Sequence, residues 1–198
     1  MQNFATPAPI ATVLDVPAGR VQLIAADRDD TAVDVRPADA AKRRDVEAAE
    51  KTRVEFADGV LRITGDAGRS LGPSGAVEIT VQLPAGSRVE AKAAAVELRG
   101  VGRLGDVAFE AAQSDVKIDE VAGLKVSTQA GDVTVGRLTG SAEISTQKGD
   151  ITVATALSAS LDAGTTYGRV HNSLKNDGTT ALHIHATTAY GDITARGL

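Results

Sequence analysis

The sequence has no cysteine, no tryptophan and one methionine, and aromatic residues make up only 3% of it. Without cysteine the chain is neither a disulfide scaffold, nor a thiol enzyme, nor a cysteine-based zinc module. The scarcity of aromatics removes stacking platforms for bases or sugars. No window approaches the roughly 18–20 apolar residues of a membrane span. The start, Met1-Gln2-Asn3-Phe4-Ala5-Thr6-Pro7, carries neither a basic region nor an apolar stretch. The expectation is a cytoplasmic chain with no membrane insertion. Charge of one sign is lacking too: 21 basic residues face 26 acidic ones, for a net charge of -5. That balance excludes a basic nucleic-acid binder, so no nucleic acid is expected as a partner.

Glycine is plentiful, with 20 residues, and many of them recur at fixed places. Val126-Ser-Thr-Gln-Ala-Gly-Asp-Val-Thr-Val135 returns 18 residues later as Ile144-Ser-Thr-Gln-Lys-Gly-Asp-Ile-Thr-Val153. The two differ only by Val/Ile exchanges and by Ala130 against Lys148. Looser copies lie at Phe109–Ile118, at Leu161–Val170 and at Ile184–Ile193. The residue after the corner is Val96, Val116, Val133, Ile151, Val170 and Ile193 in turn, with spacings of 20, 17, 18, 19 and 23. The longest spacing holds Lys175-Asn-Asp-Gly178, a turn-type insertion.

Inside each copy apolar residues alternate with a period of two, which is strand and not helix. Glycine suits a corner that needs positive φ, and aspartate bonds locally in turns. A unit this short cannot bury both its faces alone, but stacked units can. Residues 89–198 are therefore read as a parallel β-solenoid, β-helix-like, with rungs of ~18 residues and a Val/Ile/Ala/Thr interior. An antiparallel sandwich is the rival, but its strands need no fixed long period. Residues 1–88 are read as an irregular β part that caps the same domain. Val77/Ile79/Val81/Leu83, Val33/Val35, Val54/Phe56 and Leu61/Ile63 mark strands there. One short helix is expected over Ala38–Lys51. The whole is all-β apart from that helix.

The order of irregular strands, an apolar-Pro strand (Val81-Gln-Leu-Pro84) and then Gly-Asp-Val/Ile repeats at 131–135, 149–153 and 191–194 resembles the bacterial putative-adhesin family of β-strand-repeat domains. The resemblance covers most of the chain. It implies a β-solenoid fold and no established activity.

Several motifs have a functional and a plain reading. Gly100-Val-Gly102-Arg-Leu-Gly105 matches the dinucleotide fingerprint, yet no βαβ unit surrounds it, so a solenoid corner is expected. Gly68-Arg-Ser70-Leu-Gly72 matches a nucleophile elbow, but Pro73-Ser-Gly75 and a strand follow instead of a helix. Asp115, Asp132 and Asp150 should stack in one column, where like charges call for a cation or a base nearby. Lys117, Lys148 and Arg169 are the bases at hand, and structural turn aspartates are preferred to a calcium site. Tyr167 and Tyr190, each just before a corner glycine, should stack. Lys42-Arg43-Arg44 sits among acids and reads as a solvated helix face.

His183-Ile-His185 is the sharpest local feature. Ile184 falls in register with Leu161, Ile144 and Val126, so the two imidazoles point outward. The neighbouring rung sets Ser160 and Asp162 beside them. His183, His185 and Asp162 are the candidate metal ligands, of a kind zinc takes. No catalytic residue and no cofactor are assigned.

The expected function is that of a non-enzymatic scaffold or binding protein, adhesin-like, acting by protein–protein contact. Its partner would be another protein or a second copy, met through the C-terminal rung, Tyr190–Leu198, as an open strand edge. The alternative is a polysaccharide-active or metal-dependent β-helix enzyme using the face that holds His183, His185 and Asp162.

Overall fold

A computed structural model describes residues 1–65 and 74–198. The Gly68–Gly72 motif lies outside the described residues. Among them are fifteen strands and one helix. In chain order these are β1 Gln2–Ala5, β2 Ala11–Ala26, β3 Asp30–Pro37, α1 Arg43–Lys51, β4 Arg53–Ala57, β5 Val60–Thr64, β6 Val77–Pro84, β7 Arg88–Gln113, β8 Val116–Ala130, β9 Val133–Leu138, β10 Ala142–Lys148, β11 Ile151–Thr155, β12 Ala159–Tyr167, β13 Val170–Ser173, β14 Leu182–Tyr190 and β15 Ile193–Gly197. The fold is all-β and solenoid-like.

The strands form two walls around one apolar core. β2, β7 and β8 are long enough to turn a corner and serve both walls. In the first wall β4 lies antiparallel to β5, and β5 lies parallel to the start of β2. The start of β2 pairs with the start of β7 (Ala11↔Arg88). Gly105 then donates its N–H to the Ser87 carbonyl at 2.9 Å, which sets the last part of β7 beside its first part. Beyond it come the end of β8, then β10, β14 and β12, all parallel. The second wall begins with β1 and β3, which are antiparallel, and β3 lies antiparallel to β6. It continues in parallel through β2, β7, β8, β9, β11, β15 and β13.

Register follows the repeat. Val126 faces Ile144, and Val133 faces Ile151, so identical positions superpose. Val116, Val133, Ile151 and Ile193 form one buried column, each no more than 1% exposed. Burying one such side chain contributes about 1.5–3 kcal/mol, so the column is a main source of stability.

The helix starts later than Ala38. Asp39 accepts the Ala41 N–H at 3.0 Å and pairs with Lys42, which holds 38–42 in a turn. Buried Asp45 then accepts the Ala76 N–H and ties α1 to β6. The basic run is neutralised locally, since Lys42 pairs with Asp39, Arg43 with Glu47 and Arg44 with Asp45. The Gly100–Gly105 segment lies within β7. Gly102 has φ +79°, and a Cβ there would lie 2.0 Å from the Ala25 carbonyl oxygen. It is a corner between strands, where no helix begins.

The expected end of the stack is corrected. The C-terminal strands do not lie outermost. β15 runs between β11 and β13, and β14 runs between β10 and β12. The chain leaves β11, skips one position to build β12 and β13, then returns through 174–181 to fill the gap. That return is anchored by Ala159 N–H on the Lys175 carbonyl and by Ala181 N–H on the Ser158 carbonyl. At this end the outermost strands are therefore β12 and β13.

Candidate functional site

The Gly-Asp corners form a column of backbone contacts. Gly131, Gly149 and Gly191 have φ between +127° and +151°, and a Cβ on any of them would fall 2.0–2.1 Å from a carbonyl oxygen of the adjacent rung. The carboxylates of the corner aspartates are bonded to backbone N–H groups of the adjacent rung. Asp115 Oδ1 accepts the Asp132 N–H at 3.0 Å, Asp132 Oδ1 the Asp150 N–H at 2.8 Å, and Asp150 Oδ1 the Asp192 N–H at 2.7 Å. Each carboxylate thus caps the next corner, and the N–H dipole offsets its charge. Asp192 Oδ1 accepts the Arg169 N–H at 2.8 Å, and the Arg169 guanidinium lies 3.5 Å from the same carboxylate. Lys117 and Lys148, expected to serve the column, show no ion pair with it. Arg169 closes the ladder because no further corner follows for a carboxylate to cap.

His183, His185 and Asp162 lie on one outward face, as β14 sits between β10 and β12. They do not converge on one point. His185 Nδ1 donates to Asp162 Oδ2 at 3.0 Å, while His183 Nδ1 meets Ser160 Oγ at 2.6 Å. Glu143 flanks His185 from β10, but its carboxylate is taken by Lys125 at 3.0 Å. Among the described residues no three His, Cys, Asp or Glu side chains form a metal-binding group. His171 lies on β13 in the other wall, exposed.

The same wall carries shallow hollows several rungs away. One of about 460 Å³ is floored by Ala11, Val13 and Ala108 and walled by Arg88, Glu90 and Lys125. Small side chains on the wall leave the floor low, and the charged ones stand as a rim.

The stack differs most at its β12/β13 end. Among the described residues β12 pairs only with β14, and β13 only with β15, so no described strand lies beside their outer N–H and C=O groups. Val170 occupies the column position of Ile193 and Ile151 but is 44% exposed. Leu161 is only half-buried where Ile184 beside it is fully buried. Tyr167 and Tyr190 stack at this end, centroids 4.9 Å apart and rings 7° from parallel, both exposed. The opposite end is closed differently: antiparallel β4 and β1 lie outermost, and α1 packs on β3. Sequence reasoning missed the end rung. Its signal was Gly168-Arg169, the corner where aspartate is replaced.

A family model, Toastrack DUF4097, matches residues 12–196. The chain belongs to the Toastrack DUF4097 family. It is the family of adhesin-like β-strand-repeat domains that the Gly-Asp repeats resemble, and its function is unknown. No curated protein matches this Toastrack chain significantly. Among solved structures, a "putative cell adhesion protein" from Clostridium sporogenes is similar at 15% identity, covering 100% of this chain and 98% of that one with a TM-score of 0.55. A "putative adhesin" from Bacteroides fragilis shows 14% identity, 98% and 95% coverage and a TM-score of 0.41. Another from Parabacteroides distasonis shows 12%, 98%, 95% and 0.37. No catalytic class is indicated by the family or by these structures.

The expected cytoplasmic location is corrected. That expectation rested on residues 1–7 and on the lack of apolar runs. The Clostridium sporogenes structure of similar fold is named a "putative cell adhesion protein", which is at odds with a cytoplasmic location. Among the described residues, no helix is long and apolar enough to cross a membrane.

Proposed function

We propose that this chain is a non-enzymatic, adhesin-like binding protein that makes protein–protein contact through the open end formed by β12 and β13. In this reading the repeat is a parallel β-solenoid with rungs of about 18 residues, the offset between Val126 and Ile144. Residues 1–88 cap its other end within the same domain. The observation that carries the reading is Val170, 44% exposed in a column whose inner members are buried. A core column left open to water gains stability from whatever covers it. The flat, rung-paired wall around His185 supports contact over an extended area better than chemistry at one point.

The test uses beads coated with the protein. They are expected to adhere to bacterial cells or to one another, and Val170→Lys is expected to abolish this without changing the melting temperature by more than a few degrees. Adhesion that survives Val170→Lys would remove the open end from the function.

A second reading attaches to His183 and His185. Both Nδ1 atoms are engaged on β12, which leaves both Nε2 atoms for a divalent ion, with Asp162 orienting His185 from behind. Zinc titration should then give one site, lost in both His183→Ala and His185→Ala. Equal binding by the double variant would remove it.

A further inference from the structure

We infer that the open end pairs with the same end of a second copy of this chain, with β12 antiparallel to β12 of the other copy about a two-fold axis. The inference rests on the reading above that this end is the contact surface, and it names the partner.

Three observations favour a second copy. The first is the character of the edges. β4 alternates exposed Arg53 and Glu55 with half-buried residues, and β1 is four residues long, so both are protected against pairing. β12 is nine residues long and carries one charge, Asp162, which is already bonded to His185. The one long, weakly charged edge, β12, therefore lies at one end only, and a head-to-tail fibre has no second edge of like character to use. An end that can meet only itself makes a closed, two-fold contact.

The second is the corner ladder. From Asp115 to Asp192, each carboxylate accepts the N–H of the next corner. Arg169 offers no such acceptor. Another rung stacked in parallel would leave its corner N–H without that partner. An antiparallel strand on β12 brings no corner there and loses nothing.

The third is self-complementarity. In an antiparallel pair, directly opposed residues share a face, so a two-fold axis passes through a residue. An axis at Asp162 would oppose two carboxylates, which is unfavourable. An axis at Ala163 sets Asp162 against Gly164 of the other copy, and an axis at Gly164 sets it against Thr166. Both are free of like charge. A Cβ added at Gly164 meets nothing within 4 Å, so the backbone there is open to close approach, and this places the axis at Gly164. In that register Leu161 and Val170 of one copy gain cover from the other.

The absence of native cysteine makes the test direct. Sedimentation velocity of the full chain over a concentration series should show a reversible dimer. Gly164→Glu, which places two carboxylates at the axis, should weaken it about tenfold or more. Under mild oxidation Gly164→Cys should form a disulfide-linked dimer, because residues opposed at the axis lie within disulfide reach. Ser145→Cys, exposed on the same wall but away from the end, should not. A wild-type protein that stays monomeric throughout overturns the inference, and so does Gly164→Cys that cross-links no faster than Ser145→Cys. If the protein is monomeric yet Val170→Lys still removes bead adhesion to cells, the second copy is excluded while the open end remains the contact surface.

Discussion

The two ends of the stack are built from the same kinds of residue and finish in opposite ways. At one end the chain reverses: β3, β1 and β4 run antiparallel to their neighbours, and α1 is tied to β6 through Asp45. At the other end the parallel stack stops at β12 and β13 with its apolar columns still facing outward. A repeat propagates by offering each rung's edge to the next, so it cannot finish itself. Termination needs a departure from the repeat. Reversal supplies one at the first end. At the second, the departure is the single exchange of Asp for Arg169, which ends the ladder of hydrogen bonds but leaves the columns open.

The comparison can be broken by substitutions placed in matched pairs. The largest expected effect is at the corners. Gly131→Ala would set a Cβ 2.0 Å from the Ser114 carbonyl oxygen at φ +127° and should cost on the order of 3–5 kcal/mol in urea melts. Gly164→Ala, at the open end, should stay within about 0.5 kcal/mol of wild type. Next come the columns. At dilutions where the chain is monomeric, Ile151→Ala should cost about 3 kcal/mol, and Val170→Ala less than about 1 kcal/mol, because Val170 leaves little new cavity behind. An equal loss at both would mean that the end is covered in solution. Third, Asp150→Ala removes the acceptor for the Asp192 N–H and should cost about 1 kcal/mol. Arg169→Ala should cost less than about 0.5 kcal/mol, as an exposed pair. The smallest effect is at Asp177 in the return segment. The Thr179 N–H and the Ser158 hydroxyl hold its carboxyl below the usual carboxylate range. Its contribution is present above that range and is lost as pH falls through its own lowered value. Amide exchange at Thr179 should therefore quicken below about pH 4 while β9 and β11 stay protected.

The inner rungs were legible because each position in them has one job. A glycine whose missing Cβ leaves room for the neighbouring carbonyl and an aspartate that caps the next corner are hard to replace, so in the inner rungs they recur as letters. The outward direction of His183 and His185, and the place of Ser160 and Asp162 beside them, followed from that register. Rung order was not legible by the same route. Ile184 and Leu161 are both apolar residues on strands of the same period, and either would fit beside Ile144. What separates them is Arg169 and the 174–181 return, features that repeat-matching sets aside as noise. The helix start at Arg43 was hidden for a local reason, the Asp39 turn. Asp45 was hidden for a distant one, since its partner Ala76 lies across the sheet.

The out-of-order rung bears on how the protein carries a load. In a stack built in sequence, a pull on the last strand peels it from one neighbour at a time. Here tension applied after Gly197 reaches β15, which is stitched to β11 on one side and to β13 on the other. Drawing it out must tear two seams together, and the outer rung comes away with them. Single-molecule pulling from that end should therefore show one high, abrupt rupture where sequential peeling gives a staircase. A protein that grips at β12 and β13 would then meet a pull from that end with a strand held on both sides.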